Sequence, residues 1–223
     1  MPIRKTPLRT GYIYHIFNRG INHAPIFYSK RDYQRFTNLI SYYRWGDNPV
    51  KYSRFQTLSD EIKNEIRQNS KEKLVSFISN CLMPNHFHFV LRQEKENGVS
   101  YFVNRFLAAY TKFFNTKYKR SGPLFENRFK ALLVETDEQL IHLVRYIHLN
   151  PYSSGVVKSL RDLLSYPWSS LQEYLDPQVI GICDEKEIVL KLFKNNREAF
   201  KKFTLDQAEY QKRLDKIKHL IQE

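Results

Sequence analysis

Apolar and polar side chains alternate along His86-Phe87-His88-Phe89-Val90-Leu91, the period of a β-strand. Phe87, Phe89 and Leu91 then point to one side and both imidazoles to the other. Further strands are expected at Tyr12–Asn18, Leu74–Leu82 and Leu124–Glu135, and Met83-Pro84-Asn85 supplies the turn into the histidine strand. A period near 3.6 predicts a helix opened by Ser29-Lys30-Arg31-Asp32 and running to about Tyr43, with Phe36, Leu39, Ile40 and Tyr43 on one stripe. Gly98 starts a second helix that lasts to about Tyr118. Thr136-x-x-Gln139 is a capping box for a third, which Pro151 closes. The order β-α-β-β-α-β-α is that of an α+β protein with a ferredoxin-like split βαβ antiparallel sheet, in which the histidine strand is central. Arg44–Lys73 is polar and reads as an insertion, part helical around Leu58–Gln68. One domain over residues 1–175, with that insertion at about 44–73, is therefore expected to precede a helical C-terminal extension at 176–223. No internal repeat is visible.

Composition narrows the class. The 223 residues are 42% hydrophobic and 15% aromatic, which describes a globular chain. No run approaches the roughly 18 apolar residues of a membrane helix, and the basic segment Met1–Arg9 has no apolar core behind it, so no secretory signal is expected. Two cysteines, Cys81 and Cys183, are too few for a disulfide framework or a cysteine-rich zinc site, and a reducing cytoplasm fits. Lys and Arg exceed Asp and Glu by 36 to 23, a formal charge of +13. Residues 184–223 carry ten basic and eight acidic residues, so the excess lies before them. Cations with many Tyr and Phe suit phosphates and unpaired bases; a basic protein without a polyanion partner has the same composition.

On the third helix, His142, Tyr146 and Asn150 are spaced by four beside an apolar stripe of Leu140, Leu143, Val144 and Ile147. Two neutral imidazoles in register are half of a metal site. A nearby tyrosine could add a nucleophile, and the amide of Asn150 a third ligand. An oxygen ligand favours Mg²⁺ or Mn²⁺, whereas all-nitrogen coordination favours zinc. Paired strand histidines also serve as hydrogen-bonded polar residues, and with fifteen tyrosines periodicity does not single out Tyr146. Tyr110 is the rival nucleophile, but Asn115 lies five residues on, about 140° around the helix, and does not share its face.

Met83-Pro84-Asn85-His86-Phe87-His88 followed by Arg145-Tyr146-Ile147-His148-Leu149-Asn150-Pro151 resembles the single-tyrosine HUH transposases, and among them the REP-associated tyrosine transposases. Asn18-Arg19-Gly20 with Ile26-Phe27, Gly122 to Lys130, and Tyr166-Pro167-Trp168-Ser169-Ser170 support the resemblance, which covers roughly Tyr12 to Tyr174. It implies a metal-dependent enzyme that cuts and rejoins hairpin-bearing single-stranded DNA, such as REP-like or insertion-element ends, through a 5′-phosphotyrosine. His86, His88 and Asn150 would hold the Mg²⁺ or Mn²⁺, with Asn150 standing where related transposases carry Gln, and Tyr146 would be the nucleophile. A bacterial cytoplasmic, nucleoid-associated protein is implied, with monomer and homodimer both open. Arg19, Lys112, Lys117, Lys119, Arg120, Arg128 and Lys130 are the expected phosphate contacts; between Lys112 and Lys130 there are six basic residues and one acidic one.

Two other functions fit parts of the pattern. A domesticated hairpin-binding protein would need no cleavage residues, and a metal-dependent phosphodiesterase would use water without a covalent step. A zinc deaminase is disfavoured because no Pro-Cys-x-x-Cys segment exists.

Overall fold

The computed structural model describes residues 7–221, with side chains as far as Asp215. Part of the basic N-terminal segment and the end of the tail lie outside the described residues. Four strands, β1 (Ile13–Arg19), β2 (Val75–Met83), β3 (His86–Gln93) and β4 (Lys130–Val134), form one sheet in the order β2-β3-β1-β4 with every neighbour antiparallel. The long helices are α1 (Lys30–Tyr43), α4 (Gly98–Lys117) and α5 (Asp137–Ser153), with the short α2 (Tyr52–Phe55) and α3 (Asp60–Asn69) between α1 and β2. After α5 come α6 (Leu160–Leu164), α7 (Leu171–Leu175), α8 (Glu187–Leu192), α9 (Arg197–Leu205) and α10 (Ala208–Ile221). This is the expected split βαβ sheet, with β3 in its interior. No described helix is long and apolar enough to cross a membrane.

The alternation along β3 divides the molecule in two. Phe87, Phe89 and Leu91 join Tyr14 and Ile16 of β1 and pack beneath α1 and α4, where Phe36, Phe102, Phe106 and Tyr110 complete an aromatic core. Val90 points the other way and meets Ile78, Cys81, Val144 and Ile147 in a second core under α5. Helices α8, α9 and α10 contribute Val189, Leu190, Phe200 and Ala208 to that core, so the chain after residue 175 packs on the tyrosine helix. The insertion is not wholly polar in its contacts: Tyr52 and Phe55 of α2 are buried in the first core.

Strand β2 is the sheet's outer strand, yet all nine of its residues are buried. An exposed edge would offer unpaired backbone groups. Here Leu82 N–H bonds to Trp168 O, Ser170 N–H to Asn80 O, and Asp184 N–H to Phe77 O. The Tyr166–Ser170 stretch is thus an edge cover, secured by the Tyr166 hydroxyl donating to Leu82 O at 2.8 Å.

Two expectations are corrected. The strand expected at Leu124–Glu135 exists only over Lys130–Val134. Leu124, Phe125 and Phe129 are buried as anchors of a loop that turns through left-handed residues Lys119, Gly122 and Asn127. Pro151 does not close α5, which continues to Ser153. Proline removes one helical hydrogen bond, but the end is held from outside: Gln211 of α10 donates to Tyr146 O at 3.1 Å and to Ser153 Oγ at 3.3 Å.

Asp32 ties α1 to α4. Fully buried, it accepts the Tyr28 and Ser29 N–H groups at 2.9 Å each, the Tyr118 hydroxyl at 2.6 Å and the Lys117 ammonium at 2.6 Å. Burial pushes its carboxyl up, but the hydrogen bonds from Lys117, Tyr118 and Tyr28 outweigh it, and the net shift is downward. Its stabilisation is therefore present above the ordinary aspartate value of about 3.9 and is lost as pH falls through the lower folded value. Asp32→Asn should cost about 3 kcal/mol in urea unfolding at neutral pH and flatten the acid limb of the stability curve. An unchanged midpoint would remove Asp32 from this role.

Candidate active site

The turn before the histidines is fastened at both residues. Pro84 O accepts the N–H groups of Ile26 and Phe27, at 2.8 and 3.1 Å, and Asn85 O accepts Gly20 N–H at 2.7 Å. A Cβ at Gly20 would lie 2.1 Å from Ala24 O, so only glycine allows this approach. His86 opens β3 directly after the turn. In the β1–β3 register it faces Arg19, and His88 faces Phe17, so these four side chains share one side of the sheet.

Helix α5 lies on that side. Thr136 caps it, accepting Gln139 N–H at 3.1 Å, and the Gln139 side chain returns to Glu135 N–H at 2.8 Å, one residue earlier than an ideal capping box. Leu140, Val144 and Ile147 dock the helix on the second core. His148 fixes its rotation: it is fully buried, with Nε2 at 2.9 Å from Ser170 Oγ and 3.1 Å from Ser79 Oγ. Burial lowers its pKa to about 3, so the ring is neutral.

With the helix so placed, Tyr146 and Asn150 reach the histidines. The Tyr146 ring stands edge-on to His88 with centroids 5.9 Å apart, and the His86 and His88 rings are 5.0 Å apart and nearly perpendicular. The Asn150 side chain lies within hydrogen-bonding reach of both His86 and the Tyr146 hydroxyl. Burial raises the phenol's pKa, the charge of Asp215 on α10 pushes the same way, and Asn150 opposes them. Burial also lowers His86 to about 4, against a hydrogen bond to Asn150 and with help from Arg19 and His23. His88 is driven well below the usual histidine value by burial and then by its neighbours His86 and His15.

His15 was not singled out by sequence. It sits on β1 on the same side, 8% exposed, with Nε2 2.9 Å from His88 Nδ1. Asn85 is the matching partner of His86, its Oδ1 2.6 Å from His86 Nδ1, and is itself held through Nδ2 by His23 O. Both site histidines thus have Nδ1 engaged, which leaves the two Nε2 atoms as the available ligating nitrogens. Among the described residues no group of three or more His, Cys, Asp and Glu is arranged to hold an ion. The donor set that the geometry offers is His86, His88 and the Asn150 amide oxygen.

Other expected residues fall elsewhere. His142 turns away, meeting Arg145 Nη2 at 2.7 Å and the Phe203 ring. Tyr110, the rival nucleophile, is fully buried in the aromatic core, donates to Ile26 O at 2.5 Å, and has its pKa pushed up by burial. Arg19 lies on the site's side, paired with Glu126 at 2.7 Å. Lys130 is there too, its ammonium 5.7 Å from the Phe17 ring centroid. Lys119, Arg120 and Arg128 lie on the α4–β4 loop, with Arg120 donating to Pro123 O. Lys112 and Lys117 are not brought to the site, since α4 packs on the opposite side of the sheet.

The split βαβ sheet thus sets its His-Phe-His strand against the tyrosine helix. The IS200-like transposase family model matches residues 50–150. A curated protein of Haemophilus influenzae, described as a REP-associated tyrosine transposase, is 26% identical over 132 residues, which cover 54% of this chain and 72% of that protein. Among solved structures, a REP-associated tyrosine transposase bound to a REP hairpin matches with a TM-score of 0.52 at 14% identity, covering 82% of this chain and 90% of that one, a likeness of fold. The chain is thus similar to REP-associated tyrosine transposases in part of its sequence and in its fold.

His148→Leu keeps the ring's approximate volume but strips the Ser79 and Ser170 hydroxyls of that partner. It should cost about 1–3 kcal/mol by denaturant unfolding with the secondary structure retained. Wild-type stability would show that the network does not hold α5.

Proposed function

We propose that this protein is a metal-dependent single-tyrosine transposase that cuts and rejoins hairpin-bearing single-stranded DNA through a 5′-phosphotyrosine. The observation that carries the reading is the position of Asn150, one helical turn after Tyr146 and within reach of both the Tyr146 hydroxyl and His86. The solved neighbour is bound to a REP hairpin, and a hairpin of that kind is the proposed substrate here.

His86 and His88 through Nε2, with the Asn150 amide oxygen, would hold the divalent ion. Mg²⁺ or Mn²⁺ fits this mixed nitrogen and oxygen set, because the third imidazole, His15, is spent on His88 Nδ1. Such an ion supplies Lewis-acid stabilisation of the charge that develops on a non-bridging phosphate oxygen. The chain's own residues do the rest. Burial keeps the imidazoles neutral, so their lone pairs are free. Arg19 and Lys130, at the rim, would hold the flanking phosphates. Tyr146 Oη attacks phosphorus, the bond to the 3′-oxygen breaks, the phenolic proton leaves to solvent, and the departing oxygen takes up a proton to become a 3′-OH. The phosphotyrosine keeps the energy of the phosphodiester, so a 3′-OH from another end can reverse the step and seal a new junction.

Tyr146→Phe removes only the nucleophilic oxygen. Incubated with hairpin-bearing single-stranded DNA and Mn²⁺, this variant should give neither the covalent protein–DNA species nor the free 3′-OH product on a denaturing gel, while still binding the hairpin. Wild type should give both, and neither in EDTA. Cleavage without an adduct would favour the hydrolytic reading, and hairpin binding with no cleavage at all the binding module.

Metal affinity gives a separate readout. In calorimetric titration with Mn²⁺, His88→Ala should abolish binding. His15→Phe keeps a ring against Phe17 but withdraws the partner of His88 Nδ1, and should weaken binding by about 10–100-fold. Equal affinity of His15→Phe and wild type would leave His15 with packing alone.

A further inference from the structure

On the side of the sheet away from His86, His88 and Tyr146, helices α1, α2 and α4 enclose a groove of about 690 Å³. Arg35, Lys51, Tyr52, Arg105, Lys112 and Phe113 line it, and no carboxylate does. Some cations of the chain are matched by carboxylates, as in Arg19–Glu126, Arg44–Asp184 and Arg92–Glu185, and Lys117 at the end of the groove pairs with Asp32. Among the described residues, Arg35, Lys51, Arg105 and Lys112 have no such partner. The two guanidinium groups rest on aromatic rings instead. Arg35 lies 4.6 Å from the Phe113 centroid and 5.3 Å from that of Tyr52, while Arg105 lies 4.9 Å from both Tyr43 and Tyr101. Stacked in this way, a guanidinium keeps its donors at the edge and is positioned without neutralisation.

We infer that this groove is a second seat for single-stranded DNA, one that holds the strand flanking the hairpin. The inference rests on the strand-transfer reading above. Concave, unneutralised positive charge calls for an anion, and the length of the site calls for a chain of them. A neighbouring depression that shares Arg35, Phe113 and Lys117 with the groove extends it past Arg31. Leu39, Ala108 and Ala109 give it an apolar floor. An unpaired base can enter such a floor and stack on the guanidinium planes, whereas bases paired within a duplex cannot. The loop from α4 to β4 starts on this side and ends at Lys130 on the other, carrying Lys119, Arg120 and Arg128. It gives the phosphate backbone a basic path around the sheet. The wall made by Lys51 and Tyr52 comes from the segment between α1 and β2.

The test uses the full chain and a fluorescent oligothymidine that has no hairpin. Wild type should bind it, with affinity falling as salt rises. The double variant Lys51→Glu/Lys112→Glu changes two exposed residues. It should bind about tenfold more weakly and lower the log–log salt slope by about 1.4, the loss of two single-strand phosphate contacts. Tyr146→Phe should bind as wild type does. An unaltered melting temperature guards against misfolding, and Arg105→Gln gives an independent second variant. Wild-type binding by both groove variants would overturn the inference, as would stronger competition by duplex DNA or by RNA of matched length. Adduct formation on hairpin DNA reports on the catalytic reading separately. If the adduct never forms but the groove variants lose oligothymidine, strand transfer fails and the groove stands; if the adduct forms and both variants bind normally, the groove alone falls.

Discussion

The apolar seam between α5 and the sheet governs where each polar group of the site can stand. Leu140, Val144 and Ile147 press onto Ile78, Cys81 and Val90, and His148 meets Ser79 and Ser170 at the same seam. A helix docked along one stripe retains two freedoms, sliding and rolling. The buried hydrogen bonds of His148 oppose both, because a shift of one residue would strand a buried neutral imidazole, whereas Ser79 and Ser170 would keep only each other and the Asn80 backbone. Tyr146 and Asn150 inherit their positions from this contact. The tail adds to it through Gln211, which supports the backbone of the turn that proline has weakened.

The order of the elements and the partition of β3 were legible in sequence because each depends on local periodicity and turn chemistry. The two faces of β3 follow from alternation alone, and both capped helices begin where Ser29 and Thr136 place them. His15 was hidden because its role depends on the register between β1 and β3, strands separated by more than sixty residues. A slip of one residue would have sent its ring into the aromatic core. His142 shows the opposite limit. Each step of four residues drifts about 40° around a helix, so two steps from Asn150 carry His142 off the site and towards α9. The loop at 118–129 reads as strand because its apolar residues are frequent, but they are spaced as anchors and not in alternation. Pro151 breaks a local rule whose cost is offset by residues sixty positions away.

Charge is arranged against the general trend of the chain. The protein carries +13 overall, yet the centre of the site holds neutral imidazoles, an amide and a protonated phenol, with Arg19 and Lys130 at the rim. Burial is the common cause of the lowered histidines and the raised tyrosine. Such a centre does not attract an anion by itself. Under the proposed function, the pull on a polyanion would come from the rim and from the basic loop, and the chemistry would be reserved for a ligand that brings its own charge into a poorly solvated space.

The tyrosine helix docks on the sheet of its own chain, and this sets a stoichiometry. The site has one phenol and one pair of facing histidines, which under the proposed function would hold a single strand end. Joining two ends by the proposed chemistry then takes either two chains, each holding one, or one chain visited in turn, with the first end stored as the phosphotyrosine while the second arrives. In the second case the lifetime of the linkage, set by how well α5 and its burying tail keep water from it, becomes the clock of the reaction.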